Sequence, residues 1–347
     1  MKKTWLLVCL LCLALSSCPE YFPKNFTNLN NTCVVYQQGN YYVDLRGCSA
    51  NQTCSSGMDP KANVNCSDVP SDSRNIKYVG EKCSHDRDCH ETAFNGCDNG
   101  VCKGMTEGVP IFNTGKYNPQ LYCNPGFYYS SLTYSCQPKH SEGSVCDFGG
   151  SNYCKNNLEC LLNFEGNYTC SKPFSVEKGG KVPDCKNNRS SLCETGFCKN
   201  NLCIEAPVSK NLGAPCKNDT DCVSSGSLKL QGKCVCGLSG KSFCTLFEGD
   251  MNQTMSLYKE YLEEYSHHCN TARKDSSQCM KDWWPDYPEY NYLLLKAQTH
   301  PDITNAPETV VEVFASNYYK AKTEYLTEAS SSSLLSLAGV LFLSNSF

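Results

Sequence analysis

The sequence predicts small disulfide-rich modules, made of short β-hairpins and loops, followed by a short α-helical C-terminal region. Cysteine content is the first reason: the 347 residues include 28 cysteines, and 26 of them lie from Cys18 to Cys279. Dense cysteine at irregular short spacing is typical of disulfide frameworks formed in an oxidising compartment. Aliphatic residues are sparse before residue 250, so several bridged modules are expected instead of one large apolar core. After residue 250, apolar residues recur at helical spacing.

Residues 1–17 are predicted to be a secretory signal peptide. Two lysines form a basic start, an apolar run follows at residues 5–15, and small residues precede the cleavage position. The C-x-x-C that begins at Cys9 lies inside the apolar run and is expected to leave with the signal. The alternative is a bacterial lipobox that lipidates Cys18. Lipidation of Cys18 would leave 25 cysteines for disulfide pairing, which is an odd number. If Cys18 also forms a disulfide, the number is 26, which is even.

Residues 18–79 are predicted to form an N-terminal cysteine-rich segment. Two runs rich in Val and Tyr, Val34–Tyr36 and Tyr41–Val43, flank the turn residues Gln37–Asn40. This pattern predicts a β-hairpin. The polar stretch 68–75 that follows is typical of a linker.

A divergent repeat begins at residue 80 and predicts cysteine-rich modules at 80–140, 141–204 and 205–249. Each copy opens with a glycine shortly before a cysteine. Connectivity is left open, because spacing alone does not determine it. The cysteines predicted to form bridges here and in the helical region are Cys83, Cys89, Cys97, Cys102, Cys146, Cys154, Cys160, Cys170, Cys185, Cys193, Cys198, Cys203, Cys216, Cys222, Cys234, Cys236, Cys244, Cys269 and Cys279.

Two short motifs link the copies. C-x-x-D-x-D-C occurs at Cys83–Cys89 and at Cys216–Cys222, and C-x-x-G-x-C occurs at Cys97–Cys102 and at Cys193–Cys198. Glycine permits a tight turn between bridged cysteines, and Asp side chains bond to nearby backbone N–H groups. The acids could instead bind calcium, but they lack the full ligand set of a calcium loop. Turn chemistry is therefore the preferred interpretation.

These units resemble the Dickkopf N-terminal cysteine-rich module, through GEKCSHDRDC and CDNGVCKG after residue 80 and through GAPCKNDTDC and GKCVC after residue 213. The segment CNPGFYY from Cys123 is similar to the C-x-P-G-x-Y unit of EGF-like and receptor cysteine-rich repeats, and predicts a turn entering a hairpin that ends near Cys136. With its signal peptide, irregular repeats and short tail, the chain also resembles ciliate surface proteins of the immobilisation-antigen type. The resemblance implies fold and location, and does not extend to Wnt-pathway antagonism.

Residues 250–328 are predicted to be an α-helical region. Asp250 is a candidate N-cap, and the residues that follow it at helical spacing are Met251, Met255, Tyr258, Leu262 and Tyr265. Cys269 and Cys279 flank a polar stretch and are expected to clip two helices together. A second helix is expected to open near Pro307, since proline is favoured in the first turn. The region could be a small α domain or a stalk.

Residues 329–347 are predicted to be a C-terminal GPI-type signal tail. An apolar run at residues 334–343 follows a run of serines, and ten apolar residues are too few to span a bilayer, which needs about twenty. Small residues followed by a terminal apolar tail are typical of GPI attachment. Ser330 is the candidate attachment residue. The alternative is an ordinary tail on a secreted protein.

Eight N-x-S/T sequons predict glycosylation. Their number, in a chain with a signal peptide, favours a glycosylated surface protein. The asparagines are Asn25, Asn30, Asn51, Asn65, Asn167, Asn188, Asn218 and Asn252.

The aromatic stretch after Cys279 is the candidate binding patch. Aromatic rings near acids can bind a sugar or a protein partner; the alternative is that they pack the two C-terminal helices together. His267 and His268 could join a metal site with neighbouring acids, but exposed helix histidines are the preferred interpretation. The patch residues are Trp283, Trp284, Tyr287 and Tyr290.

The sequence therefore predicts a non-enzymatic, glycosylated coat or antigen protein on the outer leaflet of the membrane through a lipid anchor. The alternatives are a secreted or surface binding module, such as an adhesion protein, receptor or ligand for an unknown protein or carbohydrate, and, less favoured, a protease inhibitor. No motif for a nucleophile elbow, a zinc protease or a P-loop is present, and no catalytic residue, metal or cofactor is predicted. Net charge is −4 with dispersed cations, which does not indicate nucleic-acid binding.

Overall fold

The structure is a computed structural model that describes residues 20–23, 32–37, 42–45, 52–53, 63–68, 76–111, 117–147, 153–226, 228–237, 240–245, 248–299, 305, 315 and 317–328. The predicted signal peptide, the C-terminal tail with Ser330, Cys18, and the sequons at Asn25, Asn30 and Asn51 lie outside these residues. The chain divides into two compact units. One contains residues 1–71, 207–251 and 291–347, and the other contains residues 72–206 and 252–290. The predicted helical region contributes to both.

The described elements are short strands and three 3-10 turns before residue 245 and helices after it, which confirms the predicted fold class. The strands are β1 (Glu20–Pro23), β2 (Thr32–Gln37), β3 (Tyr42–Leu45), β4 (Gln52–Thr53), β5 (Val64–Asn65), β6 (Ser67–Asp68), β7 (Cys97–Asp98), β8 (Val101–Cys102), β9 (Phe127–Ser130), β10 (Ser135–Pro138), β11 (Glu159–Leu162), β12 (Tyr168–Ser171), β13 (Cys198–Lys199), β14 (Leu202–Cys203), β15 (Cys234–Cys236) and β16 (Ser242–Cys244). The helices are α1 (Asn252–Glu260), α2 (Ser277–Trp283), α3 (Tyr287–Gln298) and a further helical stretch at 317–328.

The first compact unit contains the predicted N-terminal hairpin. Strands β2 and β3 are antiparallel, with Tyr36 opposite Val43, and the sheet order is β1-β3-β2-β5 with β1 parallel to β3. In the same unit, Asp250 does not cap α1. It lies in a 3-10 turn at Glu248–Met251, and its carboxylate accepts a hydrogen bond of 2.6 Å from the hydroxyl of Ser209. The capping prediction was wrong because the helical turns already begin at Glu248, two residues before Asp250.

Four modules share one pattern of four cysteines, in which the first pairs with the third and the second pairs with the fourth. In the module at 216–244 this count leaves out Cys236, so that Cys244 is the fourth cysteine. The third and fourth cysteines face each other across a two-stranded hairpin in every module, and each bonds outward to an earlier cysteine. Two further bridges, one across β9–β10 and one in the helical segment, bring the described total to ten. The pairs are Cys83–Cys97, Cys89–Cys102, Cys123–Cys136, Cys146–Cys160, Cys154–Cys170, Cys185–Cys198, Cys193–Cys203, Cys216–Cys234, Cys222–Cys244 and Cys269–Cys279; Cys236 is also disulfide-bonded.

A glycine before the first cysteine fixes the entry into each module. Its N–H donates to the carbonyl of the fourth cysteine, at 2.8 to 3.2 Å, and the residue after the glycine accepts from the N–H of that cysteine. All four glycines have positive φ, a conformation that costs other residues energy. The glycines are Gly80, Gly143, Gly179 and Gly213.

The two copies of C-x-x-G-x-C, which the sequence analysis treated as equivalent, occupy different positions in their modules. C-x-x-G-x-C at Cys97–Cys102 runs from the third to the fourth cysteine of its module, whereas the same pattern at Cys193–Cys198 runs from the second to the third. The true counterpart of the first hairpin is Cys198–Cys203, which turns through Asn200 and Asn201, both with positive φ. Asparagine tolerates this conformation well enough to replace glycine.

The C-x-x-D-x-D-C motif is a hydrogen-bonded turn, as preferred from the sequence. Asp88 Oδ2 lies 2.9 Å from the backbone nitrogens of both Ser84 and His85. Asp86 Oδ1 accepts from the N–H of Cys97 at 2.8 Å. The motif at Cys216–Cys222 repeats all three bonds. The second acid therefore closes the first cysteine loop, and the first acid holds that loop against the hairpin.

In the second compact unit, the helical segment 252–290 packs against the modules. Asn270 is fully buried, and its Nδ2 donates to the backbone carbonyls of Gln120 at 2.8 Å and Cys123 at 2.6 Å. The carboxylate of Glu81, also fully buried, lies 3.3 Å from Nη2 of Arg273. Because these contacts tie it to residues 72–206, this segment is neither a separate α domain nor a stalk.

The helical segment has its own apolar core, here called the helical core, formed by Tyr261, Leu262, Met280, Trp284 and Tyr287. The Cys269–Cys279 bridge joins the end of a short 3-10 turn to α2, as predicted. Within the part of the chain that the structure describes, no helix is both long and apolar enough to cross a membrane.

Candidate functional site

The structure divides the aromatic stretch that was predicted as a binding patch. Trp284 and Tyr287 are only 1% and 6% exposed and belong to the helical core. Tyr290 packs against them, with its ring centroid 5.1 Å from that of Trp284. These three side chains pack the helical segment, which is the alternative to ligand binding in the sequence analysis. The rings of Trp284 and Tyr287 are buried and therefore inaccessible to a ligand in this structure.

Trp283 joins the helical segment to the first module. The Trp283 ring is stacked on the ring of His268, with 4.2 Å between the two centroids. The Nζ of Lys82 lies 4.7 Å from the centroid of the Trp283 ring. The indole Nε1 donates to the carbonyl of Gly80 at 2.8 Å. Burial, and then the neighbouring His267, lower the pKa of His268.

The metal interpretation of the histidine pair has no support from geometry. Among the described residues, the groups of His, Cys, Asp and Glu spaced closely enough for a metal consist only of cysteines. Those cysteines belong to the paired bridges of three modules. A sulfur held in a disulfide is not a thiolate ligand.

All five sequon asparagines that the structure describes are exposed, which leaves each accessible to a glycan. Asn167 and Asn188 occupy loops of the second compact unit, and Asn188 has positive φ. Asn218 starts the second acidic turn, where its Oδ1 accepts from the N–H of Thr220 at 3.1 Å. The other two are Asn65 and Asn252.

A small cleft of about 290 Å³ opens between hairpin β11–β12 and the loop 184–192. Leu161, Leu162 and Leu192 provide apolar walls. On its rim, Lys186 Nζ lies 3.1 Å from the carboxylate of Asp184. The cleft is at the small end of the range for ligand pockets.

A buried polar cluster in the second compact unit consists of Lys139, Asn156 and Thr271. Lys139 and Asn156 are 7% and 5% exposed, and the Nζ of Lys139 contacts the amide Oδ1 of Asn156. Thr271 Oγ1 donates to the same oxygen at 3.2 Å. Burial, with Lys274 as a smaller cause, lowers the pKa of Lys139 to about 7.

The amide of Asn156 is held in one orientation. Its Nδ2 donates to the backbone carbonyls of Ser266 at 2.6 Å and Cys269 at 2.8 Å. Because two carbonyl oxygens can only accept, the nitrogen must face them, and the amide oxygen must face Lys139. No local pattern indicates this cluster, since Lys139 follows a hairpin like any surface lysine and its burial depends on a segment more than a hundred residues away.

No family model matches the chain, and no curated protein or solved structure matches it either. The ten described bridges are those of a cysteine-rich protein of the secretory pathway or the extracellular space.

Proposed function

We propose that the chain is a non-enzymatic, glycosylated coat or antigen protein, held on the outer face of the plasma membrane by a GPI anchor. The observation that carries the proposal is the exposure of every described sequon asparagine on a surface built from bridged modules. Short bridges, each worth roughly 3 kcal/mol for a ~15-residue loop, suit a protein exposed to an oxidising and proteolytic environment. The resemblance to ciliate surface proteins supports the same assignment.

Treatment of expressing cells with phosphatidylinositol-specific phospholipase C tests the anchor. We expect release of the protein, with a C-terminus that ends near Ser330 in mass spectrometry. Protein found in the medium with its terminal Phe347 intact would contradict the anchor.

Peptide N-glycosidase tests the coat separately. In heavy-oxygen water the enzyme converts each glycosylated asparagine to a labelled aspartate, and we expect the label at the exposed sequons. Labelling at none of the five described asparagines would contradict a glycosylated coat even if the anchor is present.

A binding function is the second candidate, because two hairpin tips expose large apolar side chains. Leu132, at the tip of β9–β10, is 91% exposed, and Phe164, at the tip of β11–β12, is 71% exposed. Apolar side chains on rigid hairpin tips are suited to anchoring a partner. We expect Leu132→Ser with Phe164→Ser to reduce adhesion of bead-coupled protein to cells, whereas Leu202→Ser, at a less exposed apolar position, leaves it unchanged. Equal adhesion by the wild type, the double variant and Leu202→Ser would contradict a binding function of the hairpin tips.

A further inference from the structure

The buried contact between Lys139 and Asn156 has the components of an amide-forming reaction. The Nζ of Lys139 lies against the carbonyl oxygen of Asn156, one bond away from the carbon that a nucleophile would attack. Both side chains are excluded from water, so hydrolysis does not compete effectively. Holding an amine and an amide in one fixed geometry can replace a large part of the activation entropy.

The amine is held in a reactive protonation state. Only a neutral amine is nucleophilic, and an exposed lysine is almost entirely protonated at neutral pH. Burial brings the pKa of Lys139 to about 7, so a substantial fraction of this amine is neutral. Among the described residues, no carboxylate forms an ion pair with Lys139 that would restore its charge.

The electrophile and the leaving group are also positioned. Thr271 donates to Asn156 Oδ1, where negative charge develops as the carbonyl carbon becomes tetrahedral, so its hydroxyl acts as an oxyanion donor. The carbonyls of Ser266 and Cys269 accept from Nδ2. They also stabilise this nitrogen as it gains a hydrogen and departs.

We propose that Lys139 and Asn156 form an intramolecular isopeptide bond. The lone pair of Nζ attacks Cγ of Asn156, and the C–N bond to Nδ2 breaks. One proton passes from Nζ to Nδ2, so that ammonia leaves and a secondary amide joins the two side chains. No electrons are gained or lost, and no co-reactant is consumed. Thr271 contacts the reacting amide as a catalytic residue and keeps its hydrogen bond to the product carbonyl.

Peptide mapping of the full-length protein from a secretory host tests the bond. After glycosidase treatment, reduction, alkylation and trypsin, we expect a branched peptide joining residues 117–155 to residues 156–178, without cleavage after Lys139. Its mass should equal the sum of the two peptides less one ammonia. Recovery of the separate peptides 117–139 and 156–178 at full mass would overturn the proposal.

Variants separate the reaction from ordinary folding. Lys139→Arg keeps a cation but should abolish the branched peptide, whereas Lys155→Arg, which changes an exposed lysine beside Asn156, should retain it. In pulse–chase samples, Thr271→Val should slow linkage roughly 100-fold, and Thr271→Ser should restore it. Linkage in Thr271→Val at the wild-type rate would overturn the oxyanion role. The wild-type map remains decisive even if a variant fails to fold.

Discussion

At the scale of single residues, Asp88 links a sequence motif to a pH response. Its carboxylate accepts two backbone hydrogen bonds, from Ser84 and His85, and these lower its pKa below the ordinary value of 3.8. A carboxyl with a lowered folded-state pKa stabilises the fold above its unfolded value, and this contribution is lost as the pH falls through the folded value. The turn should therefore weaken only in acid.

We expect Asp88→Asn to lower the thermal midpoint near neutral pH, because an amide accepts these bonds less strongly than a carboxylate. The difference from wild type should shrink towards zero as the pH falls below 3.8, where the wild-type carboxyl becomes protonated. Calorimetry from neutral pH to below pH 3.8 measures this difference in thermal midpoint, with Asp98→Asn as a control at an exposed position. A difference that does not change with pH would mean that the charge is irrelevant.

The ion pair between the fully buried Glu81 and the partly exposed Arg273 gives a second prediction at this scale. Burial is the largest influence on Glu81 and raises its pKa, while the Tyr78 backbone bond and Arg273 oppose the rise. Removing one partner of a buried ion pair costs about 3–5 kcal/mol, since a charge is left unpaired. We expect Arg273→Met to lower the free energy of unfolding in urea by this amount. The double variant Arg273→Met with Glu81→Gln should recover a substantial part of the lost free energy. Equal losses in both proteins would show that the guanidinium acts through packing alone.

At the scale of elements, equivalent glycines have different surroundings. A Cβ at Gly80 would lie 2.7 Å from the carbonyl oxygen of His268 and 3.0 Å from the nitrogen of Asn270, whereas a Cβ at Gly143 would meet nothing within 4 Å. Both have positive φ, so the pair separates backbone strain from the contact with the helical segment.

Gly143→Ala is expected to lower the free energy of unfolding by about 1–2 kcal/mol, the cost of placing a side chain in this conformation. Gly80→Ala should lose roughly twice as much, because the backbone of the helical segment must also shift. Urea unfolding followed by tryptophan fluorescence measures both, as Trp283 and Trp284 lie in that segment. Equal losses would show that the docking of the segment is loose enough to absorb a methyl group.

The sequence predicted the kind of element but not how the elements meet. Hairpins, bridge-forming cysteines and acidic turns follow from local chemistry, so they were visible in the spacing of Cys, Gly and Asp. The repeat register was not, because C-x-x-G-x-C describes any tight turn between two half-cystines. Burial of Asn270 and Lys139 depends on contacts between segments far apart in sequence, which no local pattern records. Of the predicted binding patch, Trp284 and Tyr287 belong to the helical core.

At the scale of the whole molecule, stability is distributed over many short bridges. The Cys154–Cys170 bridge spans 16 residues, which corresponds to about 3 kcal/mol of restriction on the unfolded chain. We expect the double variant Cys154→Ser with Cys170→Ser to lose about this amount in urea unfolding, while the other bridges persist in a non-reducing peptide map. Reshuffling of the remaining bridges would contradict the view that each module holds its own pairing.

Because the described disulfides join cysteines that are close in sequence, they also favour an order in which the parts of the chain fold. Every described bridge closes between cysteines 10 to 22 residues apart, so each pair can be oxidised soon after it emerges into the lumen during translocation, without waiting for the rest of the chain. The segment 252–290 emerges after residues 72–206, which receive it, so the bridges of those modules can close before it docks. Its docking is then a maturation step that a quality-control system can monitor.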